Sequence, residues 1–139
     1  MAIARCKFVI VLVALGWMAT AATSRSVRDG VFTKAQVTRG QTVYNEECGK
    51  CHGQNLGGGE SSPALVGAEF MAKWQGKSVN SLYEVTRTTM PADDPGHLSR
   101  RQVADLMAYI LSANELPAGD KDLESSADAL NDIRMEAKK

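Results

Sequence analysis

The chain has 139 residues, of which 16 are basic and 16 acidic, so its formal net charge at pH 7 is zero. This length supports one domain and argues against a multidomain enzyme. A neutral chain lacks the basic footprint of a nucleic-acid-binding protein, so we expect no nucleic-acid partner. Aromatic residues make up 6% of the chain, which predicts a core with few large rings.

The N-terminus has the three parts of a secretory signal peptide. Residues 1–7 carry two basic side chains and no acid, residues 8–19 form an uncharged apolar run, and small residues occupy the cleavage position at Ala19–Ala21. A membrane-spanning helix needs about 20 apolar residues, so cleavage is favoured and an uncleaved anchor is the minor alternative. The pattern predicts a signal peptide over residues 1–21, export to the periplasm, and a loose N-terminal arm over residues 22–31.

Helical periodicity then divides the chain into short helices. Phe32–Glu47 contains no proline, and its apolar and small residues fall on one face, so we expect a helix there. A shorter helix is expected at Ala68–Trp74. Another should begin at Ser78 as its N-cap and turn Leu82 and Val85 inward.

The last helix has the clearest signals. Ser99 and Gln102 form an S-x-x-Q capping box at its start, and Asn114 and Pro117 end it. Between these limits the apolar residues recur every three or four positions, as on one face of a helix: Val103, Leu106, Met107, Ile110 and Leu111.

The remaining pattern predicts an all-α fold, because no alternation of apolar and polar residues indicates a strand. Several short helices and long loops form a domain over residues 32–117. The charged tail over residues 118–139 is expected to pack on the domain or extend from it, through spaced apolar residues: Leu123, Leu130, Ile133 and Met135. Long loops in so small a domain need another ordering element. A large apolar cofactor would supply it.

Two cysteines and a histidine carry the chemistry. Cys48, Cys51 and His52 form a C-x-x-C-H sequence, which is the attachment pattern of c-type haem. Two thiols three positions apart at a helix end can reach the two vinyl groups on one edge of a porphyrin, and the adjacent imidazole can ligate the iron. We therefore expect one covalent haem c, with Cys48 and Cys51 as thioethers and His52 as an axial iron ligand.

Three other uses of this motif fit the chain less well. A zinc site needs four ligands, and after signal cleavage only His97 is left to join the three residues of the motif. A thioredoxin-type pair belongs beside a βαβ unit, which the sequence does not predict. A disulfide with so short a spacing makes a poor staple, although an oxidising compartment permits it.

A second side chain is expected to bind the iron at its sixth coordination position. Met90 is presented from a loop between two helices and is followed by Pro91, which prevents helix continuation. The other methionines of the exported chain fall in helices or in the tail: Met71, Met107 and Met135. We therefore favour Met90 as the second axial ligand, with His97 as the alternative.

Most of the exported chain resembles the class I monohaem cytochromes c of the bacterial, periplasmic type. Gly40 and Tyr44 stand eight and four residues before Cys48, and Leu106 and Tyr109 occupy matching places on the last helix. The resemblance implies a cytochrome c fold in which the first and last helices cross at these positions. It further implies that the glycine permits their close approach.

The resemblance also assigns residues to the haem pocket. It implies that the Pro63 carbonyl accepts the imidazole N–H, that Leu65 packs on the haem, and that Trp74 donates to a haem propionate, with ordinary core packing as the alternative for Trp74. Residues 114–119 and the tail resemble the haem domains that accompany periplasmic quinoprotein dehydrogenases.

These residues favour one-electron transfer over catalysis. Histidine and methionine together saturate the iron and leave no site for a substrate, and thioether ligation raises the reduction potential. We expect a monomeric carrier that takes electrons from a periplasmic dehydrogenase, such as a quinoprotein, or from a membrane reductase and passes them to an oxidase or another acceptor. Two alternatives stay open: a haem enzyme or small-ligand sensor with a labile Met90, and a haem subunit of a larger dehydrogenase.

Overall fold

The computed structural model describes residues 24–136, so the signal-peptide prediction over residues 1–21 falls outside the described part. Within that part lie two very short strands and six helices. In chain order they are β1 Arg25–Ser26, α1 Lys34–Glu47, α2 Gly49–His52, α3 Ala68–Trp74, α4 Val79–Thr89, α5 Arg100–Ala113, α6 Ala127–Asn131 and β2 Ile133–Arg134. The fold is therefore all-α, as the sequence predicts, apart from one strand pair. None of these helices is long and apolar enough to cross a membrane.

The start of α1 is set by a side-chain cap. The Thr33 hydroxyl oxygen accepts a hydrogen bond from the backbone N–H of Gln36 at 3.1 Å. A capping residue lies just outside its helix, so α1 begins at Lys34. The predicted start at Phe32 is two residues too early, and the predicted end at Glu47 is confirmed.

The other predicted helices are confirmed. The bounds of α3 are those expected, and α4 begins directly after Ser78. At the start of α5 both bonds of the capping box between Ser99 and Gln102 are present. The predicted apolar face of α5 is buried, so this helix is a main part of the core: Val103, Leu106, Met107, Ile110 and Leu111.

Helices α1 and α5 cross at very close range. A Cβ placed on Gly40 of α1 would lie 1.9 Å from the carbonyl oxygen of Asp105 in α5, which is far inside the contact distance of two atoms. Four residues further along each helix, the rings of Tyr44 and Tyr109 pack with their centroids 5.3 Å apart. This crossing fixes the end of α1, and the segment with the two cysteines follows directly.

The described part of the N-terminal arm, residues 24–31, is ordered, so the prediction of a loose arm is wrong for these residues. Strand β1 pairs in parallel with β2, and Arg25 stands opposite Ile133. Val27 and Val31 of the arm are 0% and 2% exposed. The segment is ordered because burial of Val27 and Val31 and the pairing of β1 with β2 attach it to the domain. Its polar residues alone would favour a solvent-exposed segment.

The C-terminal tail packs on the domain through its four spaced apolar residues, all of which are buried: Leu123, Leu130, Ile133 and Met135. Gln36 of α1 clamps the tail by bonding both backbone groups of Leu123. Its amide N–H donates to the Leu123 carbonyl at 3.0 Å, and its oxygen accepts from the Leu123 N–H at 2.7 Å. Beside this clamp, the Asp122 carboxylate accepts hydrogen bonds from Thr33 and Arg39.

Candidate functional site

The two cysteines stand where α1 ends and the chain makes one further helical turn, α2. The N–H of His52 donates to the Cys48 carbonyl at 2.9 Å within this turn. The turn places Cys48, Cys51 and His52 on the wall of one cavity. Neither cysteine forms a disulfide, so both sulfur atoms are available for thioether bonds.

A backbone carbonyl orients the imidazole of His52. Its Nδ1 lies 2.8 Å from the Pro63 carbonyl oxygen, and because a carbonyl only accepts, Nδ1 carries the proton and donates. This tautomer leaves Nε2 as the nitrogen with a free lone pair, which is the form that binds a metal. The Tyr44 hydroxyl donates to the Gly53 carbonyl at 2.6 Å and so ties the attachment turn to α1.

The cavity beside these residues is large and mainly apolar. Its volume is about 410 Å³, within the range of about 300–1,000 Å³ found for ligand sites. Helices α3, α4 and α5 and the loop before α3 supply its apolar wall: Leu65, Phe70, Trp74, Leu82, Leu106 and Ile110. Val85 also lines the cavity and is 47% exposed. Leu82 and Val85, which α4 is expected to turn inward, therefore both border the cavity.

Met90 reaches the same cavity from the end of α4. It is the C-cap of that helix, and its N–H donates to the Thr86 carbonyl at 3.0 Å. His97, the alternative ligand, is not among the residues that line the cavity. Its Nδ1 lies 2.9 Å from the Asp94 carbonyl oxygen, and its Nε2 lies 3.3 Å from a carboxylate oxygen of Glu47.

The supporting residues predicted from the sequence fall into two places. Four of them line the cavity: Pro63, Leu65, Trp74 and Leu106. Three lie at the crossing of α1 and α5: Gly40, Tyr44 and Tyr109. The Trp74 ring is buried, and the ammonium groups of Lys73 and Lys77 lie 5.8 and 5.0 Å from its centroid. Two cations therefore stand beside the wall that Trp74 contributes.

The donor groups and the cavity together fit a covalently attached haem. One apolar cavity is bordered by the cysteine sulfurs of Cys48 and Cys51, the imidazole of His52 and the thioether of Met90. These are the side chains that c-type attachment and histidine–methionine ligation require. The Pro63 carbonyl fixes Nδ1 of this imidazole. Over residues 24–136, no group of three or more histidine, cysteine, aspartate or glutamate side chains is arranged to hold a bare metal ion.

Fold and site together define a c-type cytochrome, and comparison with known proteins agrees. The profile of the family described as cytochrome c oxidase, cbb3-type, subunit III matches residues 35–110, more than half of the chain. The chain therefore belongs to this family of c-type cytochromes, and its cofactor is covalently bound haem c. Electron transfer is the role that such a domain supports.

A solved structure shares this fold. The chain is similar to a chain in the crystal structure of the sulfane dehydrogenase SoxCD from Paracoccus pantotrophus, with a TM-score of 0.52 and 19% sequence identity. The match covers 81% of this chain and 60% of that chain, so only part of the larger protein has a counterpart here. Comparison with curated proteins gives no match. The shared architecture is the all-α cytochrome c fold.

Sequence reasoning does not place two features of the site. Phe70 lines the cavity, and a signal for it exists, because it stands four residues before Trp74 and so shares a face of α3. The second feature is a set of ion pairs between the segment at Glu47–Lys50 and the loop after Met90. Its four residues carry no sequence signal of their own, since pairing between segments far apart in the sequence depends on the folded geometry.

Proposed function

We propose that this chain is an exported one-electron carrier in which Cys48 and Cys51 hold the haem through thioethers while His52 and Met90 bind its iron. One observation carries the proposal: the two thiols, the imidazole and the Met90 side chain line the same apolar cavity. Haem held in this way supplies a reversible one-electron couple, whose potential a methionine ligand raises.

The chain prepares both ligand side chains for this role. The hydrogen bond from His52 to the Pro63 carbonyl fixes the tautomer and the ring orientation, as outer partners of metal-bound histidines do. Met90 is held at the C-cap of α4, and the next residue, Pro91, is buried. Because the Pro63 carbonyl holds His52 and the end of α4 holds Met90, both groups can stay in place when the charge at the site changes by one.

The cavity wall supports electron transfer in a second way. Leu82, Leu106 and Ile110 keep water from one side of the site. On the other side lies the attachment turn, in which Lys50 and Cys51 are exposed. An electron would therefore enter and leave at the thioether edge, where a partner can approach closely.

The N-terminal sequence and the fold support the proposed compartment and partners. A signal peptide over residues 1–21 would deliver the protein to the periplasm, where a dehydrogenase, such as a quinoprotein, or a membrane reductase would donate the electron and an oxidase or another acceptor would take it. The likeness to a chain of SoxCD, a sulfane dehydrogenase, supports a dehydrogenase as donor or as parent complex. Co-purification with dehydrogenase subunits would favour a fixed haem subunit, whereas elution alone as a monomer would favour a free carrier.

A haem enzyme or small-ligand sensor is the second candidate function. This function requires Met90 to leave the iron. Residues 92–97 of the loop that follows Met90 are exposed, and this exposure favours movement of Met90 away from the iron. Carbon monoxide separates the two functions. A carrier with Met90 bound should take up carbon monoxide slowly at neutral pH in the ferrous state, whereas rapid uptake would support the enzyme or sensor.

Haem attachment and electron count test the proposal directly. In a redox titration the intact haem protein should follow a single one-electron curve. Replacing both Cys48 and Cys51 by serine should abolish covalent haem on a denaturing gel. The Cys6→Ser variant is the matched control, since Cys6 lies in the predicted signal peptide, and it should retain full haem staining. Covalent haem in the double variant would contradict the assignment of the two thioethers.

A further inference from the structure

Two ion pairs join the haem-attachment segment to the loop that follows Met90. The Lys50 ammonium lies 2.5 Å from a carboxylate oxygen of Asp93. The His97 Nε2 lies 3.3 Å from a carboxylate oxygen of Glu47. We call these four residues the strap. Each pair connects residues more than forty positions apart in the sequence, so neither pair is a local contact within one helix.

The strap crosses the edge of the cavity. Glu47 and Lys50 flank Cys48 in the attachment segment, and Asp93 and His97 follow Met90 in the loop before α5. Glu47, Lys50 and Asp93 themselves line the cavity. The two pairs therefore bridge the segment that holds the cysteines and the segment that holds the methionine.

The loop between Met90 and α5 has apolar anchors only at its ends. Pro91 and Leu98 are buried, whereas residues 92–97 are all exposed. Within the loop, the Asp94 N–H donates to the Pro91 carbonyl at 3.1 Å, and His97 bonds the Asp94 carbonyl. These bonds make the loop a compact unit, so a tether at Asp93 and His97 acts on the whole of it.

The groups that face His97 favour its charged form. They are the Asp94 carbonyl, the Glu47 carboxylate and the Asp94 carboxylate, whose Oδ2 lies 3.8 Å from Nδ1. Together they raise the pKa of His97 above its usual value, the Asp94 carbonyl most of all. The His97–Glu47 contact is therefore an ion pair over a wider pH range than an isolated histidine would allow.

We propose that the strap residues Glu47, Lys50, Asp93 and His97 are positioning residues that hold the Met90 loop closed over the cavity and so set how readily another ligand displaces Met90. This inference rests on the proposed function, because it requires Met90 to bind the iron. An exposed ion pair shifts an equilibrium by a factor of about 1.4 to 5. Two pairs acting on one loop would therefore shift its opening by about 2- to 25-fold.

Imidazole binding to the ferric haem protein tests the strap. Imidazole binds iron in its uncharged form, and at one pH the uncharged fraction is the same for every variant, so changes of nearby charge disturb its binding little. It can reach the iron only when Met90 leaves. The Glu47→Gln, Asp93→Asn double variant should bind imidazole about 2- to 25-fold more tightly than the unaltered protein. The displacement of Met90 is measured by the loss of the near-infrared methionine-to-iron band during the imidazole titration. A general effect of the substitutions on stability would not shift the imidazole concentration at which this band is lost.

A charge-matched control separates the strap from net charge. The Glu46→Gln, Glu84→Gln double variant also removes two carboxylates, and it breaks the local Arg87–Glu84 pair on α4 instead of the strap. It should bind imidazole as the unaltered protein does. The conservative Asp93→Glu variant keeps a carboxylate for Lys50 and should stay close to the unaltered protein as well.

The outcomes distinguish the strap from the proposed function. If the near-infrared band is absent from the unaltered protein, Met90 does not bind the iron, and both the proposed function and the strap are contradicted. If the band is present but the strap and control variants bind imidazole equally, the strap alone is overturned. Tighter binding in the strap variant, with unchanged binding in the control and in Asp93→Glu, supports the strap.

Discussion

The α-carbon of Gly40 faces the backbone of Asp105 so closely that a Cβ on Gly40 would stand 1.9 Å from the Asp105 carbonyl oxygen. This contact joins the two longest helices of the described chain, α1 and α5. The attachment turn follows α1, and α5 supplies Leu106 and Ile110 to the cavity wall. The distance between the attachment turn and the α5 wall of the haem site therefore depends on Gly40, which has no side chain.

Gly40→Ala should destabilise the fold for this reason. The added methyl meets backbone atoms of another helix, which cannot move aside as a flexible side chain can, and overpacking of this kind costs about 1–3 kcal/mol or more. Because the clash is with backbone at 1.9 Å, the upper end of this range, about 3 kcal/mol, applies. Alanine regains about 1 kcal/mol of helix propensity, so we expect a net loss of about 2 kcal/mol in the free energy of unfolding, measured by denaturant titration. Gln41→Ala, on the exposed face of the same helix, should change it by less than about 0.5 kcal/mol. Equal stability of both variants would contradict the close crossing.

Gln36→Ala should release the C-terminal tail. The change removes both hydrogen bonds to Leu123 and leaves a buried N–H and a buried carbonyl without partners, at about 1–3 kcal/mol for each unsatisfied group. We expect a loss of about 3 kcal/mol in unfolding free energy. Hydrogen exchange at the Leu123 amide should accelerate more than exchange at core amides of α5. Unchanged protection at Leu123 would show that Gln36 does not clamp the tail.

Asp122 should give the tail a pH dependence at acid pH. Hydrogen bonds from Thr33 and then from Arg39 hold the pKa of Asp122 below its ordinary value of 3.8. Because the folded pKa is the lower one, this stabilisation is complete above the unfolded pKa and is lost as the pH falls through the folded pKa. Asp122→Asn should therefore cost about 0.5 kcal/mol at pH 7, and the difference from the unaltered protein should shrink as the pH falls below 3.8. A difference that does not shrink there would contradict this sign.

Much of the helical framework is predictable because its signals are local. Ser99 and Gln102 mark the start of α5 through a capping box that needs only four consecutive residues. The attachment motif is equally local, since Cys48 to His52 form one turn. Met90 could be singled out because the following proline ends a helix. Each of these signals lies within a few residues of the feature that it predicts.

The features that the sequence does not reveal depend on long-range contacts. The arm is ordered because β1 meets β2 at the other end of the chain, and two-residue strands are too short to show an alternating pattern. Val85 follows the helical period of α4, but whether that face meets packed core or a cofactor cavity is decided by the neighbouring helices. The Lys50–Asp93 and Glu47–His97 pairs arise only when the attachment segment meets the loop after Met90.

The near-infrared absorption of the ferric protein at neutral pH tests the central claim most directly, because the methionine-to-iron band reports the sixth ligand itself. The unaltered protein should show the band, and Met90→Ala should lose it while keeping covalent haem. Met71→Leu is the matched control, since Met71 is buried in α3 and is not among the residues that line the cavity, and this variant should retain the band. A band that is absent from the unaltered protein, or that persists in Met90→Ala, would contradict the assignment of His52 and Met90 as the axial pair.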